Sequence, residues 1–321
     1  MTPESTPALG AVTLTVVIPA TNRPATLPLC LEAIHAAAAP PQQVIVVDDP
    51  SLRHPALARN LGARQATGDV LVFIDADVTV HPDVFVRIRA AFDDDPDLTA
   101  LFGSYDATPA APGTVSRFRN LLHHHVHQQH GGGRATTFWA GLGAVRRRTF
   151  DAAGGFAEHP IEDIELGIRL SAAGAHILLD PRIQGAHLKA WSFWSMIRTD
   201  LTVRGIPWVG LLLQYRGTVS MSTLNLGWRH RLSALSSLVL VAALLVRSVI
   251  PAAIALGVLV ALNLSLYGLL FRRTGIARGI GGIALHVVHH LVSVAAVPLG
   301  ILRYFTRRRE TVRHTAATQG L

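Results

Sequence analysis

Short apolar runs alternate with helix-length stretches through the first 185 residues. "VTLTVVIP" (12–19) is rich in strand formers and stops at Pro19, and "LPLCLEAIHAAAA" (27–39) repeats its apolar positions at helical spacing. "QVIVVDD" (43–49) reads as a second buried strand, "HPALARNLGARQAT" (54–67) suits a helix, and "DVLVFIDAD" (69–77) is a third strand. Strands this apolar, separated by helices of this length, predict βαβ units and an α/β domain with a mostly parallel sheet flanked by helices. Ligands of such sheets bind beyond the carboxyl ends of the strands. Asp48, Asp49, Asp75 and Asp77 all fall there.

After residue 230 the pattern becomes continuously apolar. "LSALSSLVLVAALLV" (232–246) and "SVIPAAIALGVLVALNLSLYGLLF" (248–271) predict a membrane hairpin interrupted by Arg247, which would snorkel to the interface. A third stretch, 279–302, is also long enough to cross. Arg272, Arg273 and Arg278 precede it and Arg303 and Arg307–Arg309 follow it, so crossing would leave one basic cluster outside, and a re-entrant or interfacial path is the alternative. The segment "WSFWSMIRTDLTVRGIPWVGLLLQY" (191–215) suits the headgroup layer, or an amphipathic helix packed on the domain. The chain therefore divides into a tail (1–11), an α/β domain (12–190), interfacial helices (191–230), membrane helices (231–305) and a basic tail (306–321).

Charge sharpens this division. The net charge is +8, yet residues from Arg229 onward carry eleven Arg and one acid, whereas the first 228 carry 18 bases and 20 acids. Basicity confined to the apolar region reads as membrane flanks and sets aside a nucleic-acid partner. The single cysteine, Cys30, excludes an internal disulfide and fits a reducing compartment; the start lacks a basic segment before an apolar one, so no signal peptide is expected.

If the third strand continues, Asp75 and Asp77 project to one side, and like charges so placed repel unless a cation lies with them. A divalent ion such as Mg²⁺ or Mn²⁺, completed by water and phosphate oxygens, supplies that charge. The alternative is a pair of solvated loop aspartates.

"VVIPATNRP" (16–24), "VIVVDDPS" (44–51), "ARNLGARQATGDVLVFIDADV" (58–78), "FWAGLGAVRRRTFDAAGGF" (138–156) and "IEDIELGIRLSAAG" (161–174) occur in the order and spacing of a known family. Over residues 12–190 the chain resembles a family 2 glycosyltransferase of GT-A fold, an inverting enzyme that uses a nucleotide-activated sugar. The resemblance implies that Pro19, Thr21 and Arg23 line the nucleotide pocket and that Asp48 contacts base or ribose. It places Arg59 and Asn60 at sugar-nucleotide contacts and makes Asp75 and Asp77 the Asp-x-Asp pair, with Asp77 the metal ligand. Gly141 and Gly143 would let backbone approach donor or acceptor, or simply relieve a tight turn. Asp163 would be the general base, with Glu162 beside it and Glu165 structural or acceptor-binding; acids in a first helical turn also answer the helix dipole. His187 either closes the metal site or is packed.

Processive members carry a Gln/Arg-x-x-Arg-Trp motif; here the zone reads "VRGIPW", with Pro207 where the second Arg would stand, so a single transfer is expected. Arg204 and Trp208 remain candidate contacts to a phosphate at the interface. The expected donor is a nucleotide sugar and the expected acceptor a lipid or glycolipid. The expected place is the plasma membrane, with the α/β domain cytoplasmic. "HHHVHQQH" (123–130) reads as a mobile loop over the acceptor side, and His286, His289 and His290 share a helix face beside the headgroups. The alternative from another class is a non-catalytic membrane scaffold with a degenerate sugar-nucleotide fold.

Overall fold

The computed structural model describes residues 12–129, 131–216 and 227–319, with side chains described up to residue 306. The tail 1–11, His130, 217–226 and the side chains of the basic tail lie outside the described residues.

The chain opens with β1 (Leu14–Pro19), α1 (Leu27–Ala36), β2 (Gln43–Val47), α2 (Pro55–Gln65) and β3 (Val70–Ile74), then β4 (Val78–Val80), α3 (Val84–Asp94) and β5 (Leu98–Tyr105). It continues through α4 (Thr114–Gln128), β6 (Gly133–Ala135), β7 (Leu142–Arg146), α5 (Arg147–Ala152), α6 (Glu162–Ala172) and β8 (His176–His187). These strands form one eight-stranded sheet in the order β2-β1-β3-β7-β5-β8-β4, with β6 paired to β8. β1 pairs in parallel with β2 and β3, which is the expected βαβ half. The sheet as a whole is mixed, because β7 runs antiparallel between β3 and β5.

Alternation along the strands explains why the sheet is covered twice. Val16, Ile18, Val70, Val72 and Ile74 pack with Cys30 and Ile34 of α1 and Phe85, Ile88 and Phe92 of α3. Val17, Leu71 and Phe73 pack on the other face with α2 alanines and with Phe150, Phe156 and Leu166. Successive side chains of one strand thus enter different cores, so each strand reads as continuously apolar.

The remainder is helical: α7 (Phe193–Arg198), a π-helical turn (Thr199–Gly205), α8 (Ile206–Gln214), α9 (Trp228–Leu245), α10 (Val249–Leu262), α11 (Leu264–Thr274) and α12 (Ile276–Gln319). Two expectations are corrected. First, the histidine run is no loop: residues 123–128 are the last turns of α4. His123 and His127 pack on Trp139, with ring centroids 4.5 and 5.5 Å away, while Phe118, Leu121 and Leu122 join a core with Leu266, Tyr267 and Leu285. α4 is therefore buried on both sides, between the sheet and the helical region.

Second, 248–271 is not one straight span. α10 and α11 meet at 81°, around Asn263, whose amide donates to Ser233 Oγ (2.8 Å) and to the Leu259 carbonyl (2.9 Å). Among the described residues the one helix long and apolar enough to cross a membrane is Ile276–Thr306, which contains the third apolar stretch; the bent pair would be a second only if it counts as one span.

Candidate functional site

The site forms where β3 ends. After Ile74 the chain leaves the sheet and turns, with the Val78 N–H donating to the Asp75 carbonyl (2.9 Å), so the strand does not carry on through Asp77 as expected. Asp75, Ala76 and Asp77 are nevertheless pinned. The Asp75 N–H donates to the Gly141 carbonyl (3.1 Å), Thr26 Oγ1 donates to the Ala76 carbonyl (2.8 Å), and the Leu188 N–H donates to the Asp77 carbonyl (2.8 Å). Three surrounding segments thus hold the backbone that presents the two carboxylates.

β4 runs antiparallel to β8 with Val78 opposite His187, which puts His187 Nε2 3.6 Å from Asp77 Oδ2. The His187 ring stacks on Tyr105, centroids 4.3 Å apart and planes within 12°, and Tyr105 in turn meets Trp139 edge-on at 4.9 Å. Burial acts to raise the Asp77 carboxyl, but the His187 hydrogen bond and the charges of His187 and Lys189 outweigh it and hold Asp77 below the usual range. Asp75 goes the other way: burial and the Asp77 charge raise it despite Arg59.

Arg59 gives the site its interior counter-charge. It is only 5% exposed, reaches Asp75 Oδ1 at 2.7 Å and ion-pairs with Glu162 at the start of α6. Both arms of the guanidinium, expected at a sugar-nucleotide contact, are engaged here by carboxylates of the site itself. Asn60, also expected at a sugar-nucleotide contact, donates its amide N–H to the Phe156 carbonyl (2.8 Å) and accepts from the Phe156 N–H (2.9 Å), clamping the "GGF" turn. Gly141 and Gly143 are explained by packing, since a Cβ on either would collide with Trp139 and, at Gly143, also with Phe138. Their expected contact to donor or acceptor is not needed to account for them.

Asp163 follows Glu162 in the first turn of α6. Its carboxylate accepts from the Ala140 N–H (3.2 Å) and the Ile164 N–H (2.8 Å). Burial and the charge of Glu162 push its pKa up to about 7, against the pull of Arg59 and the backbone donors. α6 can sit this close because Gly167 presses on the backbone of Thr137 and Phe138, the strand-entry segment that also delivers Ala140. Burial raises the hydroxyl of Tyr105, and the charges of Asp75, Asp77 and Asp163 raise it further against the pull of Arg119. Glu165 ties structure together, accepting from Arg169 Nε (2.7 Å) and the Tyr215 hydroxyl (3.0 Å).

Of the remaining expected residues, Pro19, Thr21 and Arg23 lie at the carboxyl end of β1 and Asp48 at that of β2, with Arg23 and Asp48 in an exposed ion pair at 3.5 Å. Trp208 packs with Ile161 and Ile164 beside Asp163. Arg204 is half-exposed on the π-helical turn, 3.9 Å from Asp200. Tyr105, Trp139 and Cys30 carry no sign in the sequence of a place beside the site, and His123, expected in a loop over the acceptor side, instead packs on Tyr105 and Trp139 from α4. The buried Cys30 thiol, 3.7 Å from the Asp75 carbonyl, is pushed up to about 12 by burial and by the Asp75 and Asp77 charges.

Among the described residues no three metal-ligating side chains converge on a point. Asp77 with His187, and Asp75 beside them, could still hold an ion whose other ligands are phosphate and water, the ordinary arrangement for Mg²⁺. The excess of buried carboxylate over cation fits that donor set.

A mixed sheet with a parallel βαβ half, acids at the end of its third strand and an acid-led helix opposite define a GT-A glycosyltransferase fold. Residues 70–276 match the family described as glycosyl transferase family group 2, and the chain belongs to it. It is similar to the mannosyltransferase PcManGT from Pyrobaculum calidifontis, solved with GDP-Man and Mn²⁺, at 18% identity over 88% of each chain with a TM-score of 0.53. It is also similar to GalNAc-T7, solved with UDP, GalNAc and Mn²⁺, at 13% identity over 67% of this chain with a TM-score of 0.45; the match spans 53% of that chain's length. No curated protein matches it in sequence.

Proposed function

We propose that the protein moves one sugar, with inversion, from a nucleoside-diphosphate sugar to a lipid-linked acceptor at a membrane surface. Asp163 carries the reading: a half-buried carboxylate in the first turn of α6, held by the Ala140 and Ile164 N–H groups and pushed up to about 7. Inverting transfer is a single displacement, in which the acceptor hydroxyl attacks the anomeric carbon as the diphosphate departs. A group must take the hydroxyl proton, and a base works best when its pKa lies near the working pH. Asp163 takes that part, with Glu162 and Arg59 setting its field.

Asp77, His187 and Asp75 would hold Mg²⁺ or Mn²⁺, which when bound compensates charge on the departing diphosphate. The ions and nucleotide sugar solved with the Pyrobaculum enzyme support a donor and cofactor of these classes. Pro19, Thr21, Arg23 and Asp48 form the nucleotide side, at strand ends where α/β sheets bind such ligands. Trp208, against the start of α6, and Arg204 form the acceptor side.

The membrane setting is supported by the 31-residue apolar span in α12 and by large apolar side chains exposed on α9 to α12, Leu245, Ile250, Leu264 and Leu302 among them. The cytosolic supply of nucleotide sugars favours a cytoplasmic α/β domain at the cell membrane.

A donor screen by thermal shift, with and without Mn²⁺, tests the reading. Stabilisation by one nucleoside diphosphate series, lost on chelation and in Asp77→Ala, is expected; no response to any nucleotide sinks it. Incubating labelled sugar nucleotides with extracted lipids tests the acceptor, and label found solely in water-soluble product rejects a lipid.

A further inference from the structure

The chain has 29 basic residues, and Lys189 is its only lysine. It lies two residues past the end of β8, its side chain exposed, and its charge reaches the Asp77 carboxylate. Yet among the described residues no carboxylate forms an ion pair with it; the contact recorded for its ammonium is the face of Trp191, 4.6 Å from the ring centroid. Trp191 is itself anchored, its backbone N–H donating to Ser116 Oγ (2.9 Å) and its ring lying 5.0 Å from the Arg119 guanidinium, which is occupied by Asp200 at 2.7 Å. The Trp191 indole N–H is buried and has no acceptor among the described residues. An uncommitted ammonium and an orphaned N–H donor therefore belong to two side chains in contact, just past the end of the strand that carries His187. A buried donor left unpaired costs free energy that a ligand oxygen would recover.

We propose that Lys189 and the Trp191 indole N–H bind a phosphate oxyanion, that of the donor's departing diphosphate. This rests on the reading of the chain as a sugar-nucleotide transferase. In the displacement, the bond between anomeric carbon and terminal phosphate oxygen breaks with its electron pair going to that oxygen. The acceptor oxygen forms the new bond and its proton passes to Asp163. The charge gained by the diphosphate is met by Lys189, which transfers no proton. Lysine serves phosphate as a compact point charge on a flexible stem, so it can follow an anion that moves as it leaves. A phosphate on a lipid acceptor offers the same chemistry; the Leu188 N–H next to Lys189 donates to the Asp77 carbonyl (2.8 Å), and this place on the metal side assigns the subsite to the donor.

Full-length protein in detergent with Mn²⁺ is titrated calorimetrically with UDP, GDP, UMP and GMP, and the KM for acceptor is measured separately. Lys189→Met should weaken diphosphate binding at least about tenfold, leave monophosphate binding and the melting temperature unchanged, and be largely restored in Lys189→Arg. Trp191→Phe, which keeps the ring but loses the N–H, should weaken the diphosphate in the same selective way. Unchanged diphosphate affinity in Lys189→Met overturns the proposal, and a rise confined to acceptor KM moves the subsite to the acceptor and overturns it too. If the wild-type protein binds none of the four nucleotides, the transferase reading itself falls.

Discussion

Asp163 makes the sharpest chemical demand on the fold. Its carboxyl ionises near 3.8 in an open chain and holds its proton to about 7 in the folded one. In the proposed role of general base it must be ionised, so kcat/KM should rise with pH through about 7 and level off above it. Asp163→Asn should lower kcat by about 100-fold or more. The same shift has a stability consequence of opposite sense. Between the two pKa values the unfolded chain has released the proton that the folded chain retains, so rising pH destabilises the fold. The melting temperature of Asp163→Asn should therefore gain on wild type from pH 4 to 7 and hold that gain above. Arg59 shows the complementary case: it neutralises Asp75 and Glu162 from inside. Arg59→Met should cost about 3–5 kcal/mol in denaturant unfolding, with the loss smaller in acid, where the stranded carboxylates protonate. Lysine should rescue little, since one ammonium cannot span both partners as the guanidinium fork does.

At the level of whole elements, the docking of α6 decides whether Asp163 meets the acidic strand end. Gly167 permits that docking, because a Cβ there would strike the Thr137–Phe138 backbone, which cannot move without moving Trp139 and Ala140. Gly167→Ala should lower the melting temperature and reduce kcat while leaving donor KM little changed, as the proposed base shifts while the proposed nucleotide side at β1 and β2 stays put. Much of this region was legible in the chain. "IEDIEL" announces a helix start by its acids, and "DVLVFIDAD" announces a strand that ends in carboxylates. The histidine run was not legible. Its apolar partners lie outside the run, and His123 and His127 reach Trp139 because α4 is wedged against β5 and β8.

The molecule as a whole joins a nearly neutral α/β half to a basic, apolar helical half across α4. Arg119 of α4, Asp200 of the π-helical turn and His289 of α12 meet in one buried network, Asp200 accepting from both (2.9 and 3.1 Å), so catalytic and helical halves share polar as well as apolar contacts. Because the outer faces of α9 to α12 expose large aliphatic side chains, attachment should be hydrophobic rather than electrostatic. The protein should stay with phospholipid vesicles on flotation in about 1 M salt, where charge interactions are screened within about 3 Å. Release at high salt would reduce the attachment to its arginines.

Periodicity along the chain was enough to declare the α/β half, the place of its acids and the apolar second half, because strand, helix and bilayer each impose a repeat or a length that neighbouring residues display by themselves. Pairings between distant segments left no such trace. Arg59 turning inward to Asp75 and Glu162, Asn60 closing on Phe156, β7 entering antiparallel and Asn263 bending 248–271 all depend on partners 16 to 103 residues apart or on the helix a side chain happens to face. Whether a polar residue serves a ligand or its own protein is set by which groups lie within hydrogen-bond reach after folding, and that distance is not encoded in local order.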